Sequence, residues 1–147
     1  MDKITYPGFN HYKISKMKIN FRSIAMTIVF FNGIGALASG YLFMSDPSGS
    51  RIGLSTDILL NSPFENYFLP GLILFIFNGV FGVITFTLSM INHEKADTSI
   101  LIQGIILSGW IFIQIIMLKM MHPMHLILGA CGILLTYYGV MKLKKKV

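Results

Sequence analysis

Read for polarity alone, the chain alternates between long runs free of charge and short polar breaks. Residues 23–44, 67–91, 99–118 and 124–141 contain no Asp, Glu, Lys or Arg. A helix needs about 20 mostly apolar residues to cross a bilayer, and each run meets or approaches that length. A chain in lipid must also satisfy its backbone polar groups internally, which helices do. The pattern therefore predicts an all-α membrane protein, a four-helix antiparallel transmembrane bundle. Ala36-Leu37-Ala38 imitates the small-x-small pattern of a signal-peptide cleavage site. The run continues through Tyr41, Leu42 and Phe43, however, and Gly33, Ala36 and Gly40 form a small-residue face suited to close helix packing. An uncleaved first helix is the favoured reading.

The longest break, 45–66, joins the first two spans and carries dense turn chemistry. Asp46-Pro47-Ser48-Gly49 fits a type I turn capped by the aspartate. Ser55 or Thr56 can cap a short helix running to Leu60, with Asp57 in its favourable first turn. Ser62-Pro63 ends it, and Phe64, Tyr67 and Phe68 form an aromatic girdle before Pro70-Gly71 begins the next span. These features predict a structured extracytoplasmic loop lying as a cap over the outer mouth of the bundle. Long structured loops carry function more often than short ones, so a site is expected beneath it.

Composition agrees with the polarity pattern: 54% of the 147 residues are hydrophobic and 12% charged, against about 25% charged in a soluble domain. The net charge of +6 would suit a nucleic-acid partner were it not so placed. Of the 12 basic residues, all but Arg51 and Lys119 fall before the first span, between the second and third, or after the fourth. That distribution predicts both termini in the cytoplasm. It divides the chain into a basic, aromatic tail at 1–22, a transmembrane domain at 23–141 and a basic tail at 142–147. The tails are expected to rest on anionic lipid headgroups, and no nucleic-acid partner is expected. The lone Cys131 excludes an intrachain disulfide.

Candidate chemistry is sparse. Phe31-Asn32-Gly33 and Phe77-Asn78-Gly79 place two asparagines near mid-membrane on adjacent helices. An amide in hydrocarbon is costly without a partner, so an Asn32–Asn78 hydrogen bond is the expected arrangement, with a small polar pocket as the alternative. Trp110 and Gln114 share a side of the third span at i, i+4. Asp57, Glu65, Gln114 and His125 are the polar residues able to face the outer mouth, with Trp110 one turn deeper. His122 and His125 are spaced for a shared face, but capping or solvated roles are expected for them. No metal and no cofactor is expected, and no nucleophile–base set or phosphate loop is present in the sequence.

The run Asp46-Pro47-Ser48-Gly49, Ser62-Pro63-Phe64, Pro70-Gly71 and Asn78-Gly79, together with Trp110, Gln114, Pro123 and Gly129, resembles a family of small bacterial four-helix membrane proteins of unknown function. The likeness spans roughly residues 23–140. It implies a multi-pass protein of the bacterial plasma membrane and supplies no activity.

Three functional classes stay open. Best supported is a non-enzymatic membrane protein: a scaffold, a partner subunit, or a binder of a lipid or small apolar ligand. Membrane lipids, and a homo-oligomer or membrane protein partner, are its expected company. An uncoupled transporter ranks second, since the spans lack the carboxylate that proton coupling needs. An outer-face lipid-modifying enzyme ranks third. The charge distribution is directly testable by cysteine labelling in a Cys131→Ser background. Ser50→Cys should react from outside the cell and Asp97→Cys only after permeabilisation; the reverse pattern would invert the topology.

Overall fold

The computed structural model describes residues 20–145. Four helices in it are long and apolar enough to cross a membrane: α1 (Phe21–Ser45), α2 (Phe68–Met90), α3 (Ala96–Leu118) and α4 (Pro123–Lys144). Each matches an expected span, with ends shifted by at most three residues. The expected interfacial tail, apart from its last three residues, lies outside the described residues, as do 146–147.

Local chemistry explains most of the boundaries. The Asn20 side chain accepts from the Arg22 N–H at the start of α1, satisfying one of the donors that a helix start leaves free. Pro47 disfavours helical backbone at Asp46, and α1 stops there. The Asn66 side chain accepts from the Phe68 N–H, and Pro70 sits in the first turn of α2, where its missing donor costs nothing. At the far end Asn92 turns left-handed (φ 52°), while the His93 N–H reaches back to the Leu88 carbonyl at 2.9 Å. That is the glycine-type helix stop with asparagine in the glycine's place.

One departure from regularity matters. Leu74–Val80, inside α2, is wound as a π-helix. The wider turn inserts residues relative to an α-helix and rotates the side chains that follow, a device common near functional sites. Asn78 and Gly79 lie within it and are buried.

Small residues set the packing. A Cβ on Gly33 would meet the Gly82 backbone at 3.3 Å, and one on Gly40 would meet the Gly71 carbonyl oxygen at 2.7 Å. On the other side of the molecule, a Cβ on Gly104 would lie 2.5 Å from the Thr136 nitrogen. Thus α1 is pressed backbone-to-backbone on α2, and α3 on α4. The core behind these seams comprises Ala25, Val29, Ile100, Leu107, Ile111, Leu135 and Tyr138. Helices α1 and α4 meet at the end that carries the termini, where the Phe21 ring lies edge-on to Tyr138 at 5.4 Å. Tyr138 also donates to the Asp97 carboxylate at 3.3 Å, and the Arg22 guanidinium donates to the Ser89 carbonyl at 2.7 Å.

The loop between α1 and α2 is tied down throughout. The Gly49 N–H donates to the Asp46 carbonyl at 3.0 Å, closing the expected turn. The Asp46 carboxylate accepts from the hydroxyls of Ser48 and Ser50 and from the Arg51 N–H. Those bonds, Ser48's foremost, hold its pKa down to about 2. Gly49 has φ 78°, and a Cβ there would meet the Tyr67 ring at 2.8 Å, so glycine is required twice over. A 3₁₀ turn at Thr56–Leu59 is capped by the Ser55 side chain. Tyr67 donates its hydroxyl to the Ser55 carbonyl at 2.8 Å and stacks on Phe43 at 5.1 Å. Lys119, between α3 and α4, donates to the Asn61 side chain at 3.1 Å.

The glycine seams give a sharp contrast. Gly40→Ala pushes against backbone atoms that cannot yield, and should cost about 1–3 kcal/mol. Gly109 has nothing within 4 Å of a new Cβ, so Gly109→Ala should be neutral or slightly stabilising. Thermal unfolding in detergent compares them directly; equal melting temperatures would refute the seam.

Candidate functional site

A cavity of about 550 Å³ lies between α1 and α4 with α3 as its floor. Its α1 wall includes a stripe of Ile28, Asn32, Ala36, Ser39 and Phe43, three or four apart and therefore on one helix face, with Thr27, Phe31 and Gly35 beside it. Its lips reach the outer surface: Phe31 is 70% exposed and Ile127 57%, and both line it. A second cavity of about 280 Å³ lies beneath the 46–67 loop, against Leu54, Ile58 and Leu59. Leu59 is 4% exposed whereas its neighbour Leu60 is 80% exposed, so the short 3₁₀ turn buries one edge only. Phe43, Trp110, Gln114 and His125 line both cavities. The two cavities adjoin at these four side chains and are taken together as the cleft.

The expected site residues divide accordingly. Trp110, Gln114, His125 and Asn32 all face the cleft. Asp57 and Glu65 do not: both are exposed and line neither cavity. The Asp57 carboxylate accepts the Ser55 hydroxyl at 2.8 Å, which makes it part of the helix cap. Asn78 is buried elsewhere, between α2 and α3, where its side-chain oxygen accepts from the Gln103 amide at 3.5 Å.

The expected Asn32–Asn78 bond is therefore absent. The amide nitrogens of Asn32 and Asn78 both lack a partner, so neither donates to the other. The physical reason is azimuth. Asn32 lies on the stripe turned toward α4, one position from Gly33, which faces α2. Asn78, inside the π segment, is turned toward α3 instead.

At the loop end of α4 the histidines cap the helix. His122 accepts the Met124 N–H on Nδ1, and His125 accepts the His122 N–H on its own Nδ1, both at 3.2 Å. This reciprocal pair does the work of a capping box, and it commits one ring nitrogen of each histidine to backbone. Among the described residues no group of three or more His, Cys, Asp or Glu side chains is placed to hold a metal ion.

The cleft is uncharged. No Asp, Glu, Lys or Arg lines either half. Its polar side chains are few: among the described residues those of Asn32, Trp110 and Gln114 make no hydrogen bond, and the Asn32 amide nitrogen is buried against protein. An apolar cavity of roughly 300–1,000 Å³ with a few convergent polar groups has the form of a small-molecule site. Phe43, which the sequence reading passed over, was findable as the next member of the stripe after Asn32, Ala36 and Ser39. No protein-family model matches the chain, and no curated protein or solved structure matches it.

The two amides can be tested for coupling. In a thermal-stability cycle, Asn78→Leu and Gln103→Leu should be non-additive by about 0.6 kcal/mol, the usual size for such bonds in membrane helices. Asn32→Leu and Asn78→Leu should add. Coupling between the asparagines would restore the direct bond.

Proposed function

We propose that this protein is a four-helix antiparallel bundle of the bacterial plasma membrane that binds one lipid, or a lipid-like apolar molecule, without chemically altering it. On this reading both termini are cytoplasmic and the 46–67 loop is an outer cap. The contacts between α1 and α2 favour the antiparallel course, since Gly33 meets Gly82 while Gly40, further along α1, meets Gly71, earlier on α2. The basic residues favour the orientation, and the family resemblance favours the bacterial membrane.

One observation carries the binding role: a cavity, open at the side between α1 and α4, whose walls are mostly apolar and carry no Asp, Glu, Lys or Arg. Packed interiors leave few voids larger than a water molecule, and elsewhere small residues draw α1 onto α2 and α3 onto α4. A side opening in the membrane zone admits hydrocarbon chains, not water-soluble solutes. Catalysis finds no support in the cleft, where the histidines spend a ring nitrogen each on the helix cap.

Gly35 offers a clean test. It lines the cleft and faces open space, with nothing within 4 Å of a new Cβ. Gly35→Phe should fill the cleft and leave the fold intact. Native mass spectrometry from nanodiscs should then show a lipid retained by the parent protein and lost from the variant. Equal retention by both, at equal thermal stability, would end the proposal.

A further inference from the structure

Every histidine among the described residues turns its Nδ1 to a backbone N–H at the start of a helix. His93 accepts from Lys95 just before α3, by a single bond. At the start of α4 the arrangement is doubled: His122 accepts from Met124, and His125 reaches back to accept from His122. The usual residues for these two places are Ser, Thr, Asp or Asn at the cap and Glu or Gln three positions on. None of those takes up a proton near neutral pH, so such boxes are indifferent to it. Histidine ordinarily changes its charge between about pH 5 and 8.

Acceptance on Nδ1 requires a neutral ring with its proton on Nε2. A ring that gains a second proton carries N–H on both nitrogens and has no acceptor left. The cap bond and the proton therefore exclude one another. Two further effects act in the same direction. A cation at a helix N-terminus faces the positive end of the helix dipole. The two rings lie 6.4 Å apart between centroids, so a charge on one opposes a charge on the other.

Among the described residues, no carboxylate in the lining of either cavity offsets such a charge. Helix α3 brings only Asp97, at its opposite end beside Tyr138. Helix α1 brings Arg22, bonded to Ser89 at that same far end, and Tyr41, which lines neither cavity. The loop's Asp46, Arg51, Asp57 and Glu65 line neither cavity, and Cys131 of α4 lines one of them with His125. Across the space beneath the loop the histidines face one titratable side chain, Tyr67, whose hydroxyl is bonded to the Ser55 carbonyl. Lys119, on the link before α4, is bonded to Asn61. His122 is exposed, so solvent protons reach it.

We infer that the paired histidines make the start of α4 a proton-sensitive latch, closed while both rings are neutral and loosened when either gains a proton. Loosening frees the N–H groups of His122 and Met124 and unties the 119–122 link from the first turn of α4. Because His125 lines both cavities, the same proton brings a charge into a lining that otherwise has none. The latch is independent of what the cleft holds.

Residue-resolved hydrogen exchange on the full protein in nanodiscs tests this. His11→Gln and His93→Gln form the background, so that these two rings are the only imidazoles left. Protection of the His122 and Met124 amides, corrected for the intrinsic pH dependence of exchange, should fall by about tenfold between about pH 8 and about pH 5. His122→Asn with His125→Gln keeps both acceptors and removes both protonation sites, so the same amides should then be equally protected at both pH values. Unchanged protection in the background protein, or an equal fall in the variant, would overturn the latch. Should the variant fail to fold, ring-nitrogen NMR on the background protein decides alone. Both rings should carry their proton on Nε2 at about pH 8, and each should gain an Nδ1 proton as the amides lose protection. A neutral ring protonated on Nδ1 would overturn the inference.

Discussion

Glycine-backed contact between neighbouring helices governs this molecule. In the membrane proposed for this protein, hydrophobic burial cannot drive helices together, because the surroundings are as apolar as the side chains, and close packing must do so. Two seams supply it, Gly33–Gly82 with Gly40–Gly71 on one side and Gly104–Thr136 on the other. Drawing α1 onto α2 and α3 onto α4 fixes four helices as two tight pairs. The pairs then meet through larger side chains, and their fit is imperfect. Phe21 and Tyr138 close the seam between α1 and α4 at the end with the termini, where Tyr138 also donates to Asp97 of α3. Toward the loop end the same seam gapes, and the cleft is that gap.

The π segment of α2 belongs to the same constraint. Gly79 and Gly82 must both face α1, where a Cβ on Gly79 would meet Leu37 at 2.8 Å and one on Gly82 would meet Gly33 at 3.0 Å. The wide turns of Leu74–Val80 let α2 keep those glycines on the seam while Asn78 is turned to Gln103. Asn78 is thereby spent on holding α2 to α3. Asn32, on the regular α1, is left with its donor free.

How far the sequence could foresee this differs by element. The four helices and the loop chemistry were legible, because charge-free length, Asp-Pro-Ser-Gly and Ser-x-Asp are local signals whose physics needs no neighbour. Asp46 and Ser55 act as expected for that reason. The Asn32–Asn78 pairing failed because the repeated Phe-Asn-Gly phrase encodes depth along a helix and says nothing of rotation about it. A π turn, which has no sequence signature, set that rotation. Asp57 and Glu65 stay outside both cavities for a plainer reason: lying on the loop's side of the bundle is not the same as facing inward, and in the 46–67 loop Leu54, Ile58, Leu59 and Tyr67 are the ones that do. Trp110, Gln114 and His125 do share the lining of both cavities, because helix periodicity and a shared end place them together.

The closures around the cleft decide how it exchanges its contents. The loop is held at both of its ends and at its middle, by Tyr67 to Pro47 and Ser55 and by Asn61 to Lys119. Opening it as a lid means breaking several hydrogen bonds and unstacking Tyr67 from Phe43. Parting α1 from α4 near Phe31 and Ile127 breaks none that involve those side chains and disturbs only apolar contacts, which lipid chains replace in kind. In the membrane proposed for this protein, the sideways route is therefore the lower barrier. A molecule that enters this way approaches with its hydrocarbon among other hydrocarbon, and meets the apolar wall of α1 before anything beneath the loop.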